Sequence, residues 1–386
     1  MQKNTVQFHK SWIGKEEEQE IIETLRSGWL TTGERTRRFE QEFADYTESK
    51  FAVGLNSCTA GLFLALKAFD IKPGDEVITT PMTFTATANV ILHCGAKPVF
   101  VDIDPADLNI DTEKISEAVT IRTKAVIPVH FRGYPCKMDE IVRIAGNNGL
   151  IVIEDAAHAI ESRYKEKKIG SIGHASCFSF YPNKNMTTGE GGMLTTNNEN
   201  IASRVRMLSN HGLSRDSWLR YTPSGKPVYE VIEPGYKYNM FDIQAALGLH
   251  QLRKIDEFWR RRKQIVEKYD QAFADFPQLS IPEEEKDWKN AYHIYTLKLV
   301  KDQLSITRDE LLDKLKEKGI GVSVHFRALH LQKFYRDKFN FTPESFPVAS
   351  DISERIFSIP LYPKLTDEEV DHVINSVAGV IEKYSK

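Results

Sequence analysis

The sequence predicts an α/β protein: a mainly parallel seven-stranded sheet with helices on both faces, followed by a smaller α+β region at the C-terminal end. Three observations carry this expectation. Between residues 51 and 196, short apolar runs alternate with helical stretches. The runs are nearly continuous in Val, Ile, Ala and Phe, the pattern of strands covered on both faces. After a long helical stretch, residues 281–386 mix strand-like and helical segments instead of repeating the alternation.

The expected strands are residues 51–55, 76–79, 98–101, 125–129, 150–153, 175–180 and 192–195. Helical stretches at 59–69, 83–93, 112–118 and 137–147 lie between several of them, as parallel pairing requires. Residues 223–235 hold three prolines and two glycines and read as an extended excursion. A helix is expected over 241–273, where apolar positions recur at helical spacing. Beyond it, 291–300 and 321–325 read as strands, 307–318 as a helix, and a last helix follows Thr366. The division this suggests is a large domain over 1–250 and a small one, with the long linking helix, over 251–386.

Composition narrows the function classes. The 386 residues are 41% hydrophobic and 27% charged, which excludes collagen-like, disulfide-scaffold and wholly disordered chains. With 51 basic and 54 acidic side chains the net charge is −3, so no general field attracts nucleic acid or an anionic membrane. Cys58, Cys94, Cys136 and Cys177 lie far apart with no CxxC pair, so reduced thiols and a cytoplasmic setting are expected, and no metal site. The polar start at residues 1–4 leads into no signal-peptide core, and no apolar run nears the roughly 20 residues of a membrane helix.

The strongest chemical signal is residues 177–192. There an apolar strand ends in a turn bearing Lys184, followed by Gly189, Gly191 and Gly192. A lysine in a partly desolvated turn loses its proton more easily and becomes a nucleophilic amine. The glycines would let backbone approach a bulky planar ligand. Residues 150–158 form a buried-looking strand ending in Glu154 and Asp155, then small residues and His158. Asp155 there either caps a helix or faces a protonated ring nitrogen. One lysine with one buried aspartate is the pair that pyridoxal 5′-phosphate requires: the amine forms the Schiff base and the carboxylate keeps the pyridine nitrogen protonated. Residues 51–61 offer a strand, a turn and a helix start, where backbone N–H groups with Ser57 or Thr59 suit a phosphate or simply cap the helix. Phe84, after another strand, is either core or a ring over the cofactor. Residues 260–263, a basic run within the long helix, read as a solvated face. His325 and His330 show no HExxH spacing and read as substrate-side or structural residues.

With these residues on the page, the chain resembles the DegT/StrS-type sugar aminotransferases, pyridoxal-phosphate enzymes of the aspartate-aminotransferase fold (fold type I). The likeness runs over essentially the whole chain through residues 28–33, 56–61, 128–130, 154–158, 178–192, 234–239 and 321–327. Residues 235–252 with 325–335 carry a finer match to enzymes that aminate C4 of UDP-linked keto-sugars, among them the aminoarabinose transaminase and the spore-coat polysaccharide aminotransferases.

The resemblance implies that Lys184 carries the cofactor, Asp155 pairs with its pyridine nitrogen, His158 lies near its 3′-oxygen and Phe84 covers its ring. Thr59, Ala60 and Ser179 would bind the phosphate, with Asn239 arriving from the second subunit of a homodimer. The cofactor would cycle between pyridoxal and pyridoxamine phosphate as L-glutamate becomes 2-oxoglutarate. The nucleotide-linked keto-sugar would meet Thr31, Thr32, Lys237, Tyr238, His325 and Arg327. A dehydratase branch of the family has histidine at the position of Lys184, so lysine favours transamination. A 3-keto-sugar or cyclitol aminotransferase, and a non-catalytic cofactor-binding regulator, are the competing readings.

Overall fold

Parallel strands need both faces covered and helical crossovers between them, and the chain supplies both. The computed structural model describes residues 5–214 and 229–386. The expectations for residues 1–4 and 223–228 therefore lie outside the described residues. The apolar runs form β1 (Phe51–Leu55), β2 (Glu76–Thr79), β3 (Lys97–Phe100), β4 (Thr123–Ile127) and β5 (Ile151–Asp155). A short hairpin, β6 (Arg163–Tyr164) and β7 (Lys167–Lys168), precedes β8 (Ala175–Ser179) and β9 (Gly192–Thr196).

The seven-stranded sheet has the order β1-β9-β8-β5-β4-β2-β3. Its neighbours pair parallel except at β9, which is antiparallel to both β1 and β8. In the register of β5 and β8, Asp155 stands opposite Cys177, so the turns after both strands open on one edge of the sheet. That carboxyl edge is where open α/β sheets bind ligands.

The helix Cys58–Ala68 follows β1 and is apolar on nearly all sides, so it is buried. Ser57 caps it, its Oγ accepting from the Ala60 N–H at 3.1 Å. The helix Asp242–Phe273 crosses between two apolar clusters. Ala245, Leu249 and Leu252 pack with Phe39, Phe43 and Phe180, whereas Ile265, Tyr269 and Phe273 pack with the C-terminal elements. There β10 (Leu279–Ser280), β11 (Tyr295–Leu299) and β12 (Ile356–Ile359) form an antiparallel sheet against the last helix, Asp367–Tyr384. Val6 joins that cluster, its N–H donating to Gly319 O at 2.9 Å.

Three expectations need correction. The strand expected at 321–325 is reduced to one bridge, Ser323 to Ser358, because Gly321 spends its N–H on Val6 O at 2.8 Å. The strand expected from residue 291 begins at Tyr295, because Ala291 and His293 donate instead to Gly133 O and Arg132 O, each at 3.0 Å. In the basic run at 260–263, Arg262 is not solvated: it is 1% exposed, on the inward stripe one turn from Phe258 and Ile265. Among the described residues no helix is long and apolar enough to cross a membrane.

Candidate active site

Strand pleating decides which of the two carboxylates at the end of β5 faces the site. Glu154 turns inward and is fully used. It accepts from Gly173 N–H and Ser176 Oγ at 2.7 Å each, and it meets His130 Nε2 at 2.9 Å. Asp155 turns to the other face. Its Oδ2 accepts from Thr87 Oγ1 at 2.7 Å and its Oδ1 from the Ala157 N–H at 3.2 Å. No cation is paired with it among the described residues. Burial pushes the Asp155 carboxyl up, opposed by Thr87, the Ala157 N–H and the charge of Lys184.

Lys184 sits in the turn after β8, its N–H closing on Tyr181 O at 2.9 Å. Desolvation lowers its ammonium to about 8, against the pull of Cys58 and Asp155. The amine therefore loses its proton several pH units sooner than a surface lysine would.

Three imidazoles share this environment. His158 and His293 are in tilted contact, ring centroids 4.2 Å apart at 37°, and Phe326 lies over His158 at 6.2 Å. Burial and the Lys184 charge push all three of His158, His293 and His325 down, His325 to about 4, so each is neutral at physiological pH. His325 is held by Ser358 Oγ at 2.9 Å and stacks on Phe8.

The residues expected at the phosphate gather at the start of the Cys58–Ala68 helix. The Cys58 thiol donates to Cys177 O at 3.4 Å, tying that helix start to the end of β8, where Ser179 Oγ accepts from Tyr181 N–H at 3.4 Å. Thr59 is exposed there and Ala60 is buried beside the cap. Gly192 explains the close fit: a Cβ on it would collide with the backbone of Ser57 and Cys58. A Cβ on Gly191 would strike Thr188. These two glycines thus let protein segments approach each other closely.

Phe84 is 61% exposed at the N-cap of the helix Thr85–His93, so it is not core. Its ring faces Phe326 at 6.4 Å. The remaining candidates fall into two groups. Thr32, Asn239 and Met240 interlock: Asn239 Nδ2 donates to Thr32 Oγ1 at 2.7 Å, and Thr32 Oγ1 to Met240 O. Asn239 also bridges to Leu55. Thr31 is exposed beside them, Lys237 reaches Asn210 Oδ1 at 3.3 Å, and Tyr238 stacks on Tyr236 at 5.3 Å. His325 and Arg327 form the other group, next to Phe326, with Arg327 exposed.

The arrangement fits pyridoxal phosphate on features of its own. Asp155 is a buried carboxylate with hydrogen bonds but no cation, ready for a protonated ring nitrogen. His158 Nδ1 is buried without a partner. A capped helix start with an exposed threonine supplies phosphate donors. Sequence reasoning missed Thr87, although it lies one turn beyond Phe84. It also missed Glu161, Asn185, Arg262 and His293, which no local pattern joins.

Comparison with known proteins agrees with this geometry. The family model for the DegT/DnrJ/EryC1/StrS aminotransferases matches residues 11–378. The chain is 52% identical over 371 residues to the spore coat polysaccharide biosynthesis protein SpsC of Bacillus subtilis, covering 96% of this chain and 95% of that one. An uncharacterized protein of Methanocaldococcus jannaschii is equally similar, 52% over 371 residues and 96% of each chain. Among solved structures, a candidate sugar aminotransferase of Streptococcus pneumoniae in its PMP form superposes with a TM-score of 0.92 at 34% identity, over 98% of this chain and 99% of that one. Helicobacter pylori PseC, an aminotransferase of pseudoaminic acid biosynthesis, gives 0.91 at 28% identity over 99% and 100%. The chain belongs to the DegT/DnrJ/EryC1/StrS family of pyridoxal-phosphate-dependent sugar aminotransferases.

Proposed function

We propose that this enzyme moves the amino group of L-glutamate to C4 of a UDP-linked 4-keto-sugar for a surface polysaccharide or lipopolysaccharide. The observation that carries the reading is a desolvated Lys184 whose charge acts on a buried Asp155 held by Thr87, an aspartate in no ion pair among the described residues. The likeness to SpsC and PseC supports a sugar destined for a polysaccharide or related product.

In this reading Lys184, Asp155 and His158 are catalytic, and Thr59, Ala60, Phe84, Ser179 and Asn239 help hold the cofactor. When bound, pyridoxal phosphate supplies a carbonyl that captures amines and a ring that accepts electrons. Lys184 Nζ, unprotonated once above its lowered pKa, takes the proton from Cα of the amino donor and returns one to C4 of the sugar in the second half-reaction. Asp155 holds its negative charge against the protonated ring nitrogen, and Thr87 keeps that carboxylate aimed. His158, neutral and buried, offers Nδ1 toward the cofactor's oxygen without adding a cation. Phe84 and Phe326 wall the site on one side. The exposed Lys237 is the cation for the diphosphate, and the exposed Arg327 meets the sugar nucleotide.

We further propose a homodimer in which Asn239 completes the neighbouring site, and a cytoplasmic setting in keeping with four free, buried cysteines. The test is a panel of UDP- and dTDP-linked 3- and 4-keto-sugars with glutamate, the products located by NMR. Amination of a UDP-4-keto-sugar at C4 is expected; exclusive amination at C3, or of a cyclitol, refutes the substrate assignment. Sedimentation of a fully active monomer refutes the shared site.

A further inference from the structure

Behind Lys184 lies a buried polar chain that the chemistry above does not use. Arg262, from the middle of the long helix, is ion-paired with Glu161 Oε1. Glu161 Oε2 accepts from Asn185 Nδ2 at 2.6 Å, and the same Nδ2 donates to Ala291 O at 2.9 Å. Asn185 Oδ1 meets His293 Nδ1 at 3.0 Å, and the His293 ring packs tilted against His158. Arg262, Glu161, Asn185 and His293 are 1%, 0%, 7% and 4% exposed, so the chain is buried from end to end.

Its hydrogen bonds leave one arrangement of protons. Glu161 as a carboxylate and Ala291 as a carbonyl can only accept, so both Asn185 amide hydrogens are committed to them. Turning the amide over would set its oxygen against two other oxygens. The atom facing His293 is therefore Oδ1, an acceptor, and His293 must donate from Nδ1. The ring is then the Nδ1–H tautomer, with a bare Nε2. Proton placement of this kind follows from the network as a whole. Burial pushes the Glu161 carboxyl up, but the Arg262 guanidinium and the Asn185 hydrogen bond oppose this, and the ion pair with Arg262 fixes the sense of the chain with Glu161 as the acceptor.

We propose that Asn185, oriented by Glu161 and Arg262, is a positioning residue for transamination. It locks the peptide next to Lys184 and holds His293 as a neutral Nδ1–H ring against His158. With a neutral ring packed against it at 4.2 Å, His158 keeps its orientation toward the cofactor and no second cation competes with Lys184. The inference does not depend on which sugar is the acceptor, and its first readout needs no turnover.

The test uses protein labelled with ¹⁵N-histidine, with and without pyridoxal phosphate, and His293→Gln to assign the signal. The expected result is a proton on Nδ1 and a bare Nε2 for His293, unchanged from about pH 6 to about pH 9. A wild-type His293 protonated on Nε2, or on both nitrogens, overturns the proposal. Asn185→Leu removes the clamp. The single tautomer should then be lost, and the glutamate half-reaction should slow roughly tenfold to a hundredfold per bound cofactor, with KM within about threefold. An unchanged tautomer, or an unchanged rate, overturns it. Glu161→Gln keeps the shape and serves if the leucine variant does not fold. It replaces one of the two acceptors that fix the Asn185 amide by a donor while Ala291 O stays, so neither amide orientation is satisfied and the single His293 tautomer should give way to a mixture of Nδ1- and Nε2-protonated rings. A pure Nδ1 proton in that variant overturns the proposal as well.

Discussion

Thr87→Val deletes one hydroxyl and leaves the side-chain shape nearly intact, which isolates the hydrogen bond to Asp155. In the native site Asp155 has two donors, Thr87 Oγ1 at 2.7 Å and the Ala157 N–H at 3.2 Å, and the first is the shorter. Thr83, whose hydroxyl lies 2.8 Å from that of Thr87, loses its partner in the same change. A hydrogen bond to a charged group contributes about 1.5–3 kcal/mol. The bond stabilises the carboxylate and not the acid, so its loss falls on the state that binds a protonated ring nitrogen. At about 1.4 kcal/mol per factor of ten, cofactor affinity should drop roughly tenfold to a hundredfold. The pH sign follows. Asp155 already protonates above the ordinary carboxylate range because it is buried, and without Thr87 it does so at higher pH still. The acid limb of cofactor retention should therefore move up in pH. The assay is titration of the apo variant with pyridoxal phosphate, followed by absorbance, across a pH series. Wild-type affinity together with an unmoved acid limb would refute the role given to Asp155 and its hydroxyl partner.

The remaining predictions concern the same edge of the sheet. Asp155→Asn should weaken the cofactor complex yet leave the apo protein as stable as wild type or more so at neutral pH. The folded-state pKa of Asp155 is raised, so its ionisation opposes folding above that pKa, and the difference between the two apo proteins should vanish in acid; a less stable asparagine variant at neutral pH contradicts this. In apo protein, acylation of Lys184 measured by peptide mapping should rise with a midpoint near pH 8, with Lys168, which burial also lowers to about 8, read separately; a midpoint near that of surface lysines contradicts the desolvation. Phe84→Ala should cost under about 0.5 kcal/mol in thermal unfolding, because the ring is largely exposed, while raising KM for the sugar or loosening the cofactor; a large loss of stability with unchanged kinetics would return Phe84 to the core.

Much of the sheet was legible because buried parallel strands must be apolar on both faces, and each of the seven expected runs became a strand. Lys184 and Asp155 were legible for a related reason: polar residues right after such runs stand at the carboxyl edge. The C-terminal region was harder to read. Residues 321–325 alternate like a strand, but their partners are divided between Val6 and Ser358, which lie far away in sequence. Arg262 was misread for the opposite reason. Three arginines and a lysine in a row look solvated, and only the packing of the long helix shows that one of them points inward toward Glu161. The role of Asn185 depends on Glu161 after β5 and on Ala291 and His293 before β11, so no spacing in the sequence signals it. For Gly191 and Gly192 the close approach to the side chain of Thr188 and the backbone of Ser57 and Cys58 could not be read from spacing, because those neighbours come together only in the fold.

The central claim is that Lys184 carries the cofactor in this enzyme. Borohydride reduction of the holoenzyme, followed by digestion and mass spectrometry, tests it most directly, since reduction traps the link between amine and cofactor. The account predicts a pyridoxyl group on the peptide containing Lys184, and none there when glutamate is added first. A pyridoxyl group on Lys168 or Lys237, or modified Lys184 at full yield after glutamate, would contradict it.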